Sequence, residues 1–181
     1  MISVSAPTVM RIARDQLARR VSERFGGELR RAGTFAQVCM LGASACLDAA
    51  PGVASLGVLW ASAFGAREAA QAALAEAASG EPVMPFTFVA TQPHLMATLL
   101  AQRGAPVRRA AFVHVPEWPM LLGLAQPWLG TCEAVLLGWA EEAAGKGEHQ
   151  SDWCMLRGKP GPLPRGLPPT FAEWLARPTS A

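Results

Sequence analysis

"APGVASLGVLWASAFG", residues 50–65, opens on a Pro-Gly turn and then runs from Val53 to Ala63 without a charged side chain. Polar and apolar residues do not alternate in it, so a strand built from it has no face suited to water. That is the pattern of a central parallel strand covered on both sides. The run closes on Ser62, Ala63 and Gly65, small residues that allow a close turn into a helix. "AREAAQAALAEAASG" (66–80) supplies that helix, and Gly80 is placed to end it as a left-handed C-cap.

Upstream, "TFAQVCMLGASACLD" begins at Thr34, a good N-cap type, and sets Phe35, Val38, Cys39, Gly42 and Cys46 on one stripe at helical spacing. Residues 8–24 are expected to form an arginine-rich helix, broken by the three glycines of "FGGELRRAG" (25–33). Downstream, "EPVMPFTF" reads as a loop, followed by a helix over 91–103 with Pro93 in its first turn. A strand is expected inside "VRRAAFVHVP" (107–116), then a helix in 117–130 limited by Pro127, then a strand in 131–143. This order predicts an α/β domain with a mostly parallel sheet and helices on both faces. After residue 144 the chain turns polar and then rich in proline and glycine; "FAEWLA" (171–176) can dock as one helical turn. The expected division is an Arg-rich helix and linker (1–33), an α/β domain (34–143) and a tail (144–181).

The 181 residues, half of them apolar, are enough to build a core without disulfide or metal. Seven of the fourteen arginines precede residue 32, interleaved with Asp15, Glu23 and Glu28. The simplest reading is a solvated helix face with charge pairs; docking to an acidic protein or a membrane surface is the alternative. A net charge of +2, and no aromatics set among the arginines to stack bases, point away from nucleic acid. Cys39, Cys46, Cys132 and Cys154 lack CxxC pairing and are expected as core thiols in a reducing compartment. No 18-residue apolar segment and no signal-type h-region is seen, so a cytoplasmic location without membrane insertion is expected.

Local motifs for chemistry are sparse. The glycines of 57–65 match no phosphate-binding pattern, and His94, His114 and His149 have no ligand spacing, so neither cofactor nor metal is expected. Ser62 lacks the flanking glycines of a hydrolase elbow. His114 lies within an apolar strand and reads as a core histidine. His94 opens a helix with better access, where binding competes with packing or interface roles. In "VHVPEWP" a strand meets a helix start, the positive end of a helix dipole, where a cysteine would be activated as thiolate. The residues there are Glu117 and Trp118.

Taken in order, four stretches resemble the beta-ketoacyl synthases of the thiolase superfamily, in particular short ketosynthase-like, N-terminal-domain proteins of aryl-polyene, fatty-acid and polyketide gene clusters. They are "RRAGTFAQVCMLGASACLDA", "LGVLWASAFG", "GEPVMPFTFVATQPHLMATLLAQRG" and "AAFVHVPEWPMLLGLAQPWLGTCEAVLLGWAEE", the last matching a G-x-A-E pattern at Gly138, Ala140 and Glu141. The resemblance covers about residues 30–143 and implies half of a thiolase-like fold. It departs from an active ketosynthase where that enzyme carries its cysteine, and the half of the family fold that brings two histidines has no counterpart here. No catalytic residue carries over. The resemblance implies a non-catalytic protein similar to a chain-length factor, partnered in a homo- or heterodimer by a ketosynthase subunit, an acyl carrier protein or both. Phe86, Phe88, His94 and Met96, with Glu117 and Trp118, would then shape an acyl pocket or an interface. The competing expectation is a small acyl-transfer or thioesterase-like enzyme with Glu117 or His94 as general base.

Overall fold

A computed structural model describes residues 2–80, 82–114, 117–145, 147–161 and 170–175. Its centre is β2 (Leu56–Ser62), buried at every position and paired in parallel with β3 (Val107–His114) and β4 (Ala134–Glu141). The unbroken apolar run of 53–63 thus becomes the middle of a three-stranded parallel core. Two further strands extend it: β5 (Glu148–Gly158) runs antiparallel to β4, and β1 (Ile2–Ala13) antiparallel to β5. Among the described residues the five-stranded order is β1-β5-β4-β2-β3, which puts β1 and β3 at the edges.

Side chains alternate between two cores. Val58, Trp60, Leu136, Trp153 and Met155 point to one face, covered by α1 (Leu17–Phe25), α2 (Thr34–Ala49) and α5 (Leu95–Gln102). Leu59, Ala61, Val135, Leu137 and Cys154 point to the other, covered by α6 (Trp118–Ala125), a 3₁₀ turn at Gln126–Gly130 and α7 (Phe171–Leu175). Helices on both faces match the expected fold class. α3 (Arg67–Ala78) follows the β2 turn, and Gly80 after it has φ 78°, the left-handed cap expected of it. Among the described residues no helix is long and apolar enough to cross a membrane.

Three elements differ from expectation. The helix predicted over 8–24 begins only at Leu17, because residues 2–13 belong to β1. Pro7, which misleads a strand reading, is tolerated on an edge strand at a bulge: the register slips between Ser5 and Thr8. That one-residue slip also exchanges faces, so Ile2 and Val4 pack with the α6–α7 side while Met10 and Ile12 pack with the α2 side. The polar segment after residue 144 does not end the ordered chain, since Glu148–Gly158 is β5. Its buried polar residues are each satisfied: Arg11 forks onto Asp152 at 2.5 and 3.2 Å, Ser151 donates to the Val38 carbonyl at 2.7 Å, and His149 accepts the Ala143 N–H at 3.0 Å. The second half of the expected loop "EPVMPFTF" instead opens helix α4 (Pro85–Ala90), with proline at its first position and the Met84 N–H and Thr87 hydroxyl both held by Glu76 of α3. Most of the Pro/Gly-rich stretch 157–170 lies outside the described residues.

Candidate functional site

The carboxyl ends of the parallel strands bring Ser62 and Glu141 together, with His114 of β3 paired in register beside Ser62. The Ser62 hydroxyl donates to Glu141 Oε2 at 2.7 Å and accepts the N–H groups of Phe64 and Gly65 at 3.1 and 2.7 Å. The other oxygen of Glu141 accepts the Ala63 N–H. Ser62 is fully buried, its proton is held by a carboxylate and its lone pairs by two amides. This serine therefore locks the β2–α3 turn rather than acting as a nucleophile. Gly65, at φ 61°, supplies the left-handed residue the turn needs.

The next residue, Glu142, accepts the Glu68 N–H at 2.7 Å at the start of α3, a helix without a side-chain cap of its own. Burial pushes its carboxyl above the ordinary 4.5, and the Glu68 charge adds to the rise while backbone N–H groups and Arg67 oppose it. Arg67 donates to the Ala143 carbonyl at 2.7 Å, the Thr34 hydroxyl to Glu68 at 3.0 Å, and Arg14 pairs with Glu68 at 2.6 Å. His149 accepts through Nδ1 and is buried, which holds the imidazole neutral and lowers its pKa. A small cleft of about 240 Å³ opens beside these groups. Among the described residues no cluster of three or more His, Cys, Asp or Glu could hold a metal ion.

The six residues singled out from the sequence divide between the two sides of the sheet. Glu117 is exposed at the N-cap of α6. Trp118, the first residue of that helix, is buried, stacked on Trp174 (centroids 5.1 Å apart) and packed on Phe171 (5.7 Å). On the other side Met96 is fully buried in the α2–α5 core, and His94, exposed at the start of α5, turns its ring toward Trp60 at 5.9 Å. Phe86 and Phe88 stand 62% and 59% exposed on α4, with the Arg31 guanidinium 5.5 Å above the Phe86 ring. Val115 and Pro116 lie outside the described residues.

All four thiols are buried. Burial pushes Cys39 and Cys154 well above the ordinary thiol range and Cys46 up to about 12. A nucleophilic thiolate needs access and a positive surrounding, and these sites offer the opposite. Sequence reasoning missed Glu142 and did not connect His149 to the strand ends. The only available signal was the doubled acid, Glu141-Glu142, directly after an apolar strand.

No family model matches this chain, and no curated protein matches its sequence. Among solved structures, it is similar to a ketosynthase (ApeO) in complex with its chain length factor (ApeC) from Xenorhabdus doucetiae. The TM-score is 0.66 at 11% identity, over 87% of this chain and 79% of that one. It is also similar to the ishigamide ketosynthase/chain length factor, with a TM-score of 0.68 at 13% identity, over 87% of this chain and 62% of that one. The chain has the fold that these proteins share, as its resemblance to the thiolase superfamily implied.

Proposed function

We propose that this chain is a cytoplasmic, non-catalytic ketosynthase-like subunit, akin to a chain length factor, that pairs with a catalytic ketosynthase in acyl-chain assembly. The observation that carries this reading is the apex of β3 and α6. The first helical position, where the dipole would activate a nucleophile, is Trp118, and its indole is buried beneath Phe171 and Trp174. The buried thiols and the committed Ser62 hydroxyl support the same reading. Pairing is supported by the edge strand β3, where Ala110–Val113 are only half-buried, and by the exposed apolar side chains of Phe64, Phe86, Phe88 and Val89. An acyl carrier protein, typically acidic, is the second partner this reading expects.

The test is co-expression with a catalytic ketosynthase from the same genome, followed by size-exclusion chromatography with light scattering and by intact mass spectrometry after incubation with an acyl thioester. A one-to-one complex is expected, with the acyl adduct on the ketosynthase alone. A covalent acyl adduct on this chain, or loss of product formation in a complex carrying Glu117→Ala, would instead favour an acyl-transfer enzyme.

A further inference from the structure

Independently of that reading, we propose that α3 and α4 form a hinged flap, latched to the carboxyl ends of the strands by polar contacts at the first turn of α3, which opens as one unit while the sheet stays folded. Apolar burial does not hold this flap. Neither helix contains a buried residue, and Leu74, Phe86, Phe88 and Val89 are exposed; Ala69 touches the core from the first turn of α3. Helices of 12 and 6 residues with no apolar face turned inward have little stability of their own. Glu76 binds the pair together through the Met84 N–H at 2.8 Å and the Thr87 hydroxyl at 2.9 Å, so α4 follows α3. The chain enters the flap through Gly65 at φ 61°, a residue free to take up the swing of a hinge. At the far end Ala90 closes on Gly33, where an added Cβ would lie 2.8 Å from that of Ala90.

The latch joins α3 to three neighbours. Glu142 and the Ala143 carbonyl, just beyond β4, hold the Glu68 N–H and the Arg67 guanidinium; the Thr34 hydroxyl of α2 donates to Glu68; and Arg14, just beyond β1, pairs with Glu68. Its weak point is Glu142, which is 5% exposed and whose Oε1 has no hydrogen-bond partner among the described residues. An ionised carboxylate shut away in this state gives up more hydration than it recovers, and opening returns it to water. Burial accordingly raises its carboxyl above 4.5, with Glu68 adding to the rise and the Glu68 N–H and Arg67 opposing it. The Cys39 thiol of α2 also faces Glu142, and burial pushes it well above the ordinary range, so it stays uncharged. Arg14 and the neutral His149 lie beyond, on Glu68 and on the Ala143 N–H, and Glu141 is bonded to Ser62 and Ala63. The closed flap therefore holds the Glu142 proton more tightly than the open one. Its contribution to closure is full below 4.5 and is lost as pH rises through the raised value.

Amide exchange on the full chain, read by mass spectrometry and corrected for intrinsic rates, tests this. Peptides from 66–80 and 82–90 are expected to open together, about tenfold or more faster than α2, β2 and β4. Thr34→Val, which removes one latch bond, should speed both helices about fivefold and leave β2 and β4 unchanged. Gly33→Ala, which wedges against Ala90 without touching the latch, should do the same and serves if the first variant does not fold. Glu76→Ala should free α4 to exchange ahead of α3. Glu142→Gln should slow the flap relative to the parent above neutral pH and match it at about pH 4, where both side chains are uncharged; His149 is common to both proteins. Flap exchange as slow as that of β2, α3 and α4 opening separately in the parent, or a Glu142→Gln difference that ignores pH would each overturn the proposal. So would exchange indifferent to Thr34→Val and Gly33→Ala, which marks simple fraying.

Discussion

Trp153 shows how single residues set the packing. Its indole fills the space over Gly138, its register partner on β4, and over Gly42 of α2; a Cβ at either position would lie 2.3–2.4 Å from ring atoms. The ring is fixed by donating its N–H to Ser151 Oγ at 2.9 Å, so it cannot give way cheaply. Gly138→Ala is therefore expected to destabilise by about 1–3 kcal/mol, read as a lower urea midpoint. Gly42→Ala meets a similar clash but recovers about 1 kcal/mol of helix propensity. The strand variant should be the worse of the two, and equal losses would show that the ring moves. At the same scale, His149 and Glu142 give stability a pH dependence of opposite signs. Burial lowers His149 below its ordinary 6.5, with Arg14 lowering and Glu68 raising it. The folded protein thus binds fewer protons than the unfolded chain, and the contribution present above 6.5 is lost as pH falls through the lowered value. Glu142 is raised above 4.5, so its contribution is full below 4.5 and is lost as pH rises through the raised value. Thermal melts across both windows should show His149→Gln flattening the loss on acidification. Glu142→Gln should gain relative to the parent as pH increases, and parallel profiles for all three proteins would contradict the assignment.

At the scale of elements, the strands and helices that signal through hydropathy alone were legible: β2 by its unbroken apolar run, α2 by the Phe35–Cys46 stripe, α3 by alanine content and Gly80. What hid β1 and β5 is long-range satisfaction of polar groups. Asp152 is fully buried inside a strand only because Arg11, 141 residues away, supplies its counter-charge, and no local pattern reports such a pair. Likewise Pro7 reads as a strand breaker unless the bulge and the edge position are known. Of the candidate site, the small-residue turn at Ser62 and the acid at Glu141 were visible, but the bond joining them needed the register of β2 on β4. α4 escaped because six residues carry too little periodicity. Its phenylalanines now give a direct test of pairing. Phe86→Asp with Phe88→Asp should leave stability within about 0.5 kcal/mol, since both rings face solvent. The same pair should reduce complex formation with a ketosynthase, and unchanged complex formation would move the interface away from this face.

For the whole molecule, the two faces of the sheet are covered unequally. Among the described residues, one carries α1, the 16-residue α2 and α5, whereas the other has α6, a 3₁₀ turn and the five residues of α7. A five-residue helix has no stability of its own in water, so α7 is held by docking: Phe171 and Leu175 are buried, and Phe171 and Trp174 pack on Trp118. Truncating a buried phenylalanine in a rigid core costs about 3–5 kcal/mol. Here the loss is capped by the free energy of docking, because the segment can detach while the five strands stay paired. Phe171→Ala is thus expected to release α7 without global unfolding. Tryptophan emission should shift to the red as Trp118 gains solvent, and amide exchange should rise in 170–175 while β2 and β4 keep their protection. A single cooperative loss of all protection together would mean instead that α7 is integral to the sheet's stability, and that Trp118 is shielded by the fold as a whole.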